Sequence, residues 1–111
     1  MIERKAFKLR IREGTQDEYV RRHKAVYEDL LQAFQDLGIK TYSIFMDGHT
    51  LYAYMEVADF DAVMKALDED PANIRWQKYM ADILIADADG KTMELLPEVF
   101  HFPNSEDKGC S

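Results

Sequence analysis

The sequence predicts an α+β domain, an antiparallel sheet with its helices gathered on one face. Three observations predict it. Short segments alternating with period two read as half-buried strands, and longer segments of period 3.6 read as amphipathic helices. The two kinds are interleaved in an order that begins and ends with a strand. The chain has 111 residues, room for one domain and too few for a second with its own core.

Residues 5–12 open the pattern, with Phe7, Leu9 and Ile11 apolar and Lys8, Arg10 and Arg12 charged, the signature of a half-buried strand. Gly14 and Thr15 interrupt it, and Thr15 followed by Glu18 has the form of a helix capping box.

A helix over residues 16–37 follows. Tyr19, Val20, His23, Val26, Tyr27, Leu30, Leu31, Phe34 and Leu37 fall within an arc of roughly 140° at 100° per residue. Arg21, Arg22, Lys24, Glu28 and Asp29 occupy the outer, solvated arc. Gly38 stands where a left-handed residue ends a helix.

Residues 40–57 read as a hairpin, with strands at 40–46 and 50–57 about the turn pair Asp47-Gly48. With that loop, Tyr42 and Ile44 share a face with Leu51 and Ala53, while Phe45, Tyr52 and Tyr54 share the other. Neither face is polar, so the hairpin is expected to bury something on both sides.

Asp59 is placed to cap a helix over 60–68, with Phe60, Val63, Met64 and Leu67 inward. Asp70-Pro71 opens another over 71–85, proline taking the first helical position, with Trp76, Tyr79, Met80 and Ile83 in one stripe and Gln77 at its edge. Asp87-Ala-Asp-Gly90 is a loop, and Val99, Phe100 and Phe102 mark a last strand over 98–102.

The order is β-α-β-β-α-α-β, a ferredoxin-like arrangement. Residues 1–103 form the domain, and 104–111 a polar, flexible tail. The aromatic face left uncovered by the helices predicts a homodimer packed sheet to sheet.

Composition removes several function classes. With 14 basic and 21 acidic residues the net charge is −7, and no basic stripe offsets it, so nucleic acid is excluded as a partner. No apolar run approaches the roughly 20 residues that span a bilayer, so no membrane is expected. The amino terminus has no signal-like apolar stretch, and the lone Cys110 has no partner for an internal disulfide; both point to the cytoplasm.

His23 is the most informative candidate. It lies one turn from both Tyr19 and Tyr27 on the inward stripe, and imidazole exchanges protons near neutral pH. The plainer reading is a half-buried histidine satisfied locally. Polar atoms among aromatic walls suit a sugar, which has apolar C–H faces and hydroxyl edges. Trp76, the one tryptophan, reads either as core or as a stacking platform, and Tyr42 carries an inward phenol that needs a partner. His23, His49 and His101 are scattered, Asp87 and Asp89 lack the other ligands of a calcium loop, and no metal site is expected.

Five segments carry a resemblance spanning residue 2 to Pro103. They are Arg4-Lys-Ala-Phe7, Glu18-Tyr-Val-Arg-Arg-His23, Gly38-Ile-Lys-Thr-Tyr-Ser-Ile44, Arg75-Trp-Gln-Lys-Tyr-Met80 and Leu96-Pro-Glu-Val-Phe-His-Phe-Pro103. In order and spacing they resemble the L-rhamnose mutarotase family. The resemblance implies a homodimeric α+β barrel, cytoplasmic and without a cofactor, that interconverts α and β anomers of L-rhamnose or a close relative. It further implies that His23 is the proton donor and that Tyr19, Tyr42 and Trp76 bind the sugar. Gln77 and Tyr27 stand where the family commonly has tryptophans, and Gln77 is then expected to offer the sugar a hydrogen bond.

Fold alone also admits other functions. Dimeric ferredoxin-like domains serve as small monooxygenases and haem-degrading proteins, in which a helix histidine would ligate haem. A non-catalytic sugar-binding module is a further alternative.

Overall fold

Four strands and four helices make up a computed structural model that describes residues 2–103. Their order is β1 (Glu3–Arg10), α1 (Gln16–His23), α2 (Glu28–Asp36), β2 (Ile39–Asp47), β3 (Thr50–Val57), α3 (Phe60–Glu69), α4 (Pro71–Met80) and β4 (Met93–Leu96). The sheet order is β2-β3-β1-β4, and every neighbouring pair is antiparallel. This is the ferredoxin-like α+β arrangement that the element order implied. The tail beyond Pro103, with Cys110, lies outside the described residues.

Period-two alternation decides which face is buried. Phe7 on β1 and Leu51, Ala53, Met55 and Val57 on β3 face the helices and are nearly solvent-free. Phe60, Val63 and Leu67 from α3 and Ala72, Trp76 and Met80 from α4 close the core over them. Burying side chains of this size contributes roughly 1.5–3 kcal/mol each. The caps also act as their residue types require. The Asp59 carboxylate accepts from the Ala62 amide, and that of Asp70 accepts from Ala72 and Asn73. Gly38 has φ +84°, the left-handed conformation expected at the end of α2.

Several expected features take a different form. The single helix over 16–37 is two helices, because Tyr27 adopts φ −56°, ψ 133° and ends the helical path. No glycine or proline marks that break. Bonds of the tighter i→i+3 kind, from Lys24 to Arg21 and Ala25 to Arg22, close α1. The extended Tyr27 then seats its ring 5.1 Å from that of Trp76 and 6.1 Å from that of Tyr79, so tertiary packing overrides local helix preference.

The capping box is absent. Thr15 donates its hydroxyl to the Arg12 carbonyl instead, and the Glu18 carboxylate is taken by Arg21 and Arg22.

In the hairpin the loop is Gly48-His49, one residue later than expected, with φ +63° at Gly48 and Asp47 paired to Thr50. Partners shift by two residues, an even number, so Tyr42, Ile44, Leu51 and Ala53 keep their common face. The other face, with Phe45 at 65% and Tyr52 at 42% exposure, is uncovered in the single chain.

Helix α4 stops at Met80 rather than at residue 85. The chain turns there, keeping Ile83 buried, and Leu84 bridges to Ile11 while Ile85 donates to the Arg10 carbonyl. The last strand lies at 93–96, not 98–102. Pro97 has no N–H to continue a ladder, and Met93, Glu94, Leu95 and Leu96 already pair with Leu9, Lys8, Phe7 and Ala6. Val99, Phe100 and Phe102 stay largely exposed.

Candidate active site

Helix α1 has two turns and carries two residues that bear on chemistry. Tyr19 is buried at 6% exposure, and His23, one turn on, is half-buried at the last helical position. The His23 Nδ1 lies 3.0 Å from the Tyr19 carbonyl oxygen. A carbonyl only accepts, so Nδ1 carries the proton and, in the neutral ring, Nε2 carries the lone pair.

The two side chains also stack, with ring centroids 4.1 Å apart and planes 24° from parallel. From the other side Trp76 meets the imidazole edge to face, at 5.2 Å and 88°. Burial pushes the His23 imidazole below its ordinary pKa, against the smaller opposing effect of the bond to the Tyr19 carbonyl.

Strand β2 supplies the opposite wall. Tyr42 packs its ring on Phe34 and Phe7, with centroids 5.6 and 6.1 Å away. Burial pushes its phenol up to about 12. The Tyr19 phenol is raised as well, first by burial and then by the proximity of Tyr42. Both hydroxyls are therefore protonated at neutral pH and serve as hydrogen-bonding groups.

Between α1 and the sheet lies a cavity of about 390 Å³. Its lining combines the polar atoms of Tyr19, His23, Lys24 and Tyr42 with the apolar side chains of Val20, Ile44, Met46 and Leu51. Its size and its mixture of apolar walls with few polar groups match small-molecule sites.

The structure thus brings Tyr19, His23 and Tyr42 together around one space. Trp76 is not on the wall of that cavity: at 7% exposure it backs the imidazole, with Tyr27 and Tyr79 packed against it in turn. Gln77 lies on the exposed face of α4, where its amide donates to Asn73 Oδ1 at 3.5 Å. Neither Gln77 nor Tyr27 is on the wall of this cavity within the single chain.

Sequence reasoning misses Met46 and Lys24 as lining residues. Met46 is within its reach, since it continues the alternation of Tyr42 and Ile44. Helical periodicity puts Arg22 on the solvated arc, yet its side chain is only 10% exposed. Its spacing from Glu18 marks a helical ion pair, but no sequence signal marks the burial, because Tyr79 and Asp82 are distant along the chain.

Comparison with known proteins relates the whole chain to one family. A family model described as L-rhamnose mutarotase matches residues 4–102. An L-rhamnose mutarotase of Burkholderia orbicola is 38% identical over 99 residues, covering 86% of this chain and 94% of the relative. One of Opitutus terrae is 36% identical over 101 residues, covering 88% and 96%. The crystal structure of an L-rhamnose mutarotase from Formosa agariphila superposes with a TM-score of 0.77 at 32% identity, over 89% of this chain and 97% of that one. A NIPSNAP domain protein from Burkholderia xenovorans, at 14% identity and a TM-score of 0.58 over 91% of this chain and 98% of that one, shares the fold alone.

Proposed function

This chain belongs to the L-rhamnose mutarotase family, isomerases that interconvert the α and β anomers of L-rhamnose, and we propose that His23 is the residue that moves the proton. Family membership, rather than the fold, separates it from the monooxygenases and haem proteins of similar architecture. The observation that carries the residue assignment is the bond between His23 Nδ1 and the Tyr19 carbonyl beside an open cavity. It commits one ring nitrogen to the helix and leaves Nε2 for a sugar.

Anomer exchange requires opening the pyranose, rotation about C1–C2, and closure on the other carbonyl face. One proton must leave the anomeric hydroxyl, and one must reach the ring oxygen as the C1–O5 bond breaks. Both oxygens are bonded to C1, so one base can serve both. Neutral His23 takes the anomeric proton at Nε2, and the imidazolium so formed gives it to the ring oxygen as the donor in the bond-breaking step. Closure runs the same transfer backwards, and no net proton is gained or lost. Burial suits the residue to this cycle, because it keeps the resting ring neutral and makes the imidazolium a better acid. The hydroxyls of Tyr19 and Tyr42 hold the sugar's oxygens. Trp76 acts from behind, excluding water from the imidazole, and binds sugar only if the second protomer reshapes this wall. Gln77 would likewise reach a sugar only in such an assembly.

The active form is proposed to be a homodimer closed by its sheets. Phe45 and Tyr52 on the uncovered face, together with Val99, Phe100 and Phe102 beyond β4, supply the apolar surface for it. No helix among the described residues is long and apolar enough to cross a membrane. The lone cysteine fits a reducing compartment, and the cytoplasm is the proposed location.

The test is saturation-transfer NMR on equilibrated L-rhamnose. Accelerated exchange between the two anomeric protons is expected with the native chain and not with His23→Ala. Exchange at the native rate in that variant would remove His23 from the mechanism.

A further inference from the structure

Next to His23, the guanidinium of Arg22 is engaged on every side. Its Nε donates to Glu18 Oε2 at 2.7 Å, and its Nη1 donates to the Tyr79 carbonyl at 2.7 Å and to Asp82 Oδ1 at 3.0 Å. Nη2 donates to Asp82 Oδ2 at 3.2 Å, and the guanidinium lies 4.4 Å from the centroid of the Tyr79 ring. The side chain is 10% exposed, while that of Asp82 is 68% exposed.

These bonds join parts that little else joins. Helix α1 has eight residues, too few to be stable alone, and His23 is its last residue, where helices fray. The backbone bonds that close this end, Lys24 to Arg21 and Ala25 to Arg22, are local and anchor it to nothing beyond. Arg22 crosses to the carbonyl of Tyr79 in the last turn of α4 and to Asp82 in the turn after it. The same α4 carries Trp76, whose edge meets the His23 ring. The end of α1 is thus fixed to α4 at two points, one a fork of hydrogen bonds and one a ring contact. Successive helix residues point 100° apart, so a modest roll of α1 would carry His23 away from the cavity wall.

We propose that Arg22 is a positioning residue for the anomer exchange, holding His23 at the cavity by tying the end of α1 to the end of α4 through Asp82 and the Tyr79 carbonyl. It rests on the assignment of His23 as proton carrier. The fork is essential to the role. Lysine offers one point charge and cannot reach Glu18, the Tyr79 carbonyl and Asp82 together.

The titratable groups around His23 are Tyr19 on its own helix, Lys24 just past the helix end and Tyr42 across the cavity, and α4 presents the uncharged indole of Trp76. None of them changes charge in Arg22→Lys, which also keeps the charge at residue 22, so in that variant the imidazole's own titration reports its placement.

The experiment uses the full chain with Arg22→Lys, Asp82→Asn and the double variant, measuring L-rhamnose exchange by saturation transfer and the His23 Cε1–H resonance against pH. Misplacing a catalytic group by about 1 Å costs on the order of 100-fold. Arg22→Lys is therefore expected to lower kcat about 10- to 100-fold with KM changed less than about threefold. Its His23 midpoint should rise towards the ordinary histidine value as burial relaxes. Asp82→Asn should act in the same direction but less, and the double variant should be no worse than Arg22→Lys, since both remove one contact. A folded Arg22→Lys with native kcat, or an unmoved His23 midpoint, would overturn the proposal. Should Arg22→Lys fail to fold, Asp82→Asn decides through kcat, because its carboxylate is a surface group: native kcat and KM there would equally overturn it. If the native chain itself shows no exchange, the proton-carrier reading fails, and the midpoint still reports whether Arg22 places the ring.

Discussion

His23 stacks on Tyr19 at 4.1 Å while its Nδ1 bonds to the same residue's backbone carbonyl at 3.0 Å. One tyrosine thus sets both the tilt and the tautomer of the imidazole. This follows from their spacing of four residues on a helix, which brings the carbonyl of one beneath the side chain of the other. Tyr19 can perform these tasks because it is itself buried and packed in the core.

Removing the imidazole tests the centre of the mechanism. His23→Ala should fold and bind L-rhamnose, with exchange reduced by about 10²–10⁴-fold, the usual contribution of a positioned acid–base group. Saturation-transfer NMR measures the rate, and circular dichroism verifies the fold.

The pH dependence has a definite sign. Burial lowers the His23 pKa below its ordinary value of about 6.5, so neutral imidazole, the form that accepts the anomeric proton, prevails at pH 7. Exchange should be flat through neutrality and fall as pH drops through the depressed midpoint. Stability moves the same way. The unfolded chain's histidine protonates first, from about pH 6.5 downward, and draws the equilibrium towards unfolding until the folded group protonates too. A midpoint above 6.5 in the exchange profile, or a rate that rises on acidification, would contradict this.

Trp76 is a packing residue by location, and its truncation should register as stability before affinity. Trp76→Ala is expected to cost about 3–5 kcal/mol in urea denaturation, the range for large aromatic side chains in a core. Trp76→Phe should retain most of that stability, since it keeps an aromatic body beneath His23.

Tyr42→Phe removes a hydroxyl and little else. The ring's contacts with Phe34 and Phe7 persist, so stability should hold within about 1 kcal/mol. Loss of one hydrogen bond to the sugar should raise KM by several-fold, about the equivalent of 1 kcal/mol. An unchanged binding isotherm would take Tyr42 out of the sugar site.

The uncovered face predicts self-association. Sedimentation equilibrium at micromolar concentration should return twice the chain mass, and Phe45→Glu, on the exposed side of β2, should shift it towards the monomer. A native chain that sediments as a monomer would remove the dimer from the proposal.

Much of this architecture is legible in the sequence. Strand and helix faces follow from periods of 2 and 3.6, because burial is a local pattern on each element. The hairpin shows how robust this is: its loop forms one residue later than expected, yet parity keeps Tyr42, Ile44, Leu51 and Ala53 on one face. Asp59 and Asp70 at helix starts and Gly38 at a helix end act locally, needing nothing beyond neighbouring amides or a positive φ. Tyr19 and His23 can be paired for the same reason.

Only tertiary structure decides where elements stop and what a side chain meets. The break at Tyr27, the reach of Arg22 across to the Tyr79 carbonyl and Asp82, and the placing of Trp76 behind His23 all depend on partners far along the chain. Periodicity records that a residue prefers to be inside. It carries no information about which distant ring or carboxylate will fill the space beside it, and that choice is made by packing, where the sum of many long-range contacts outweighs the small energies of local preference.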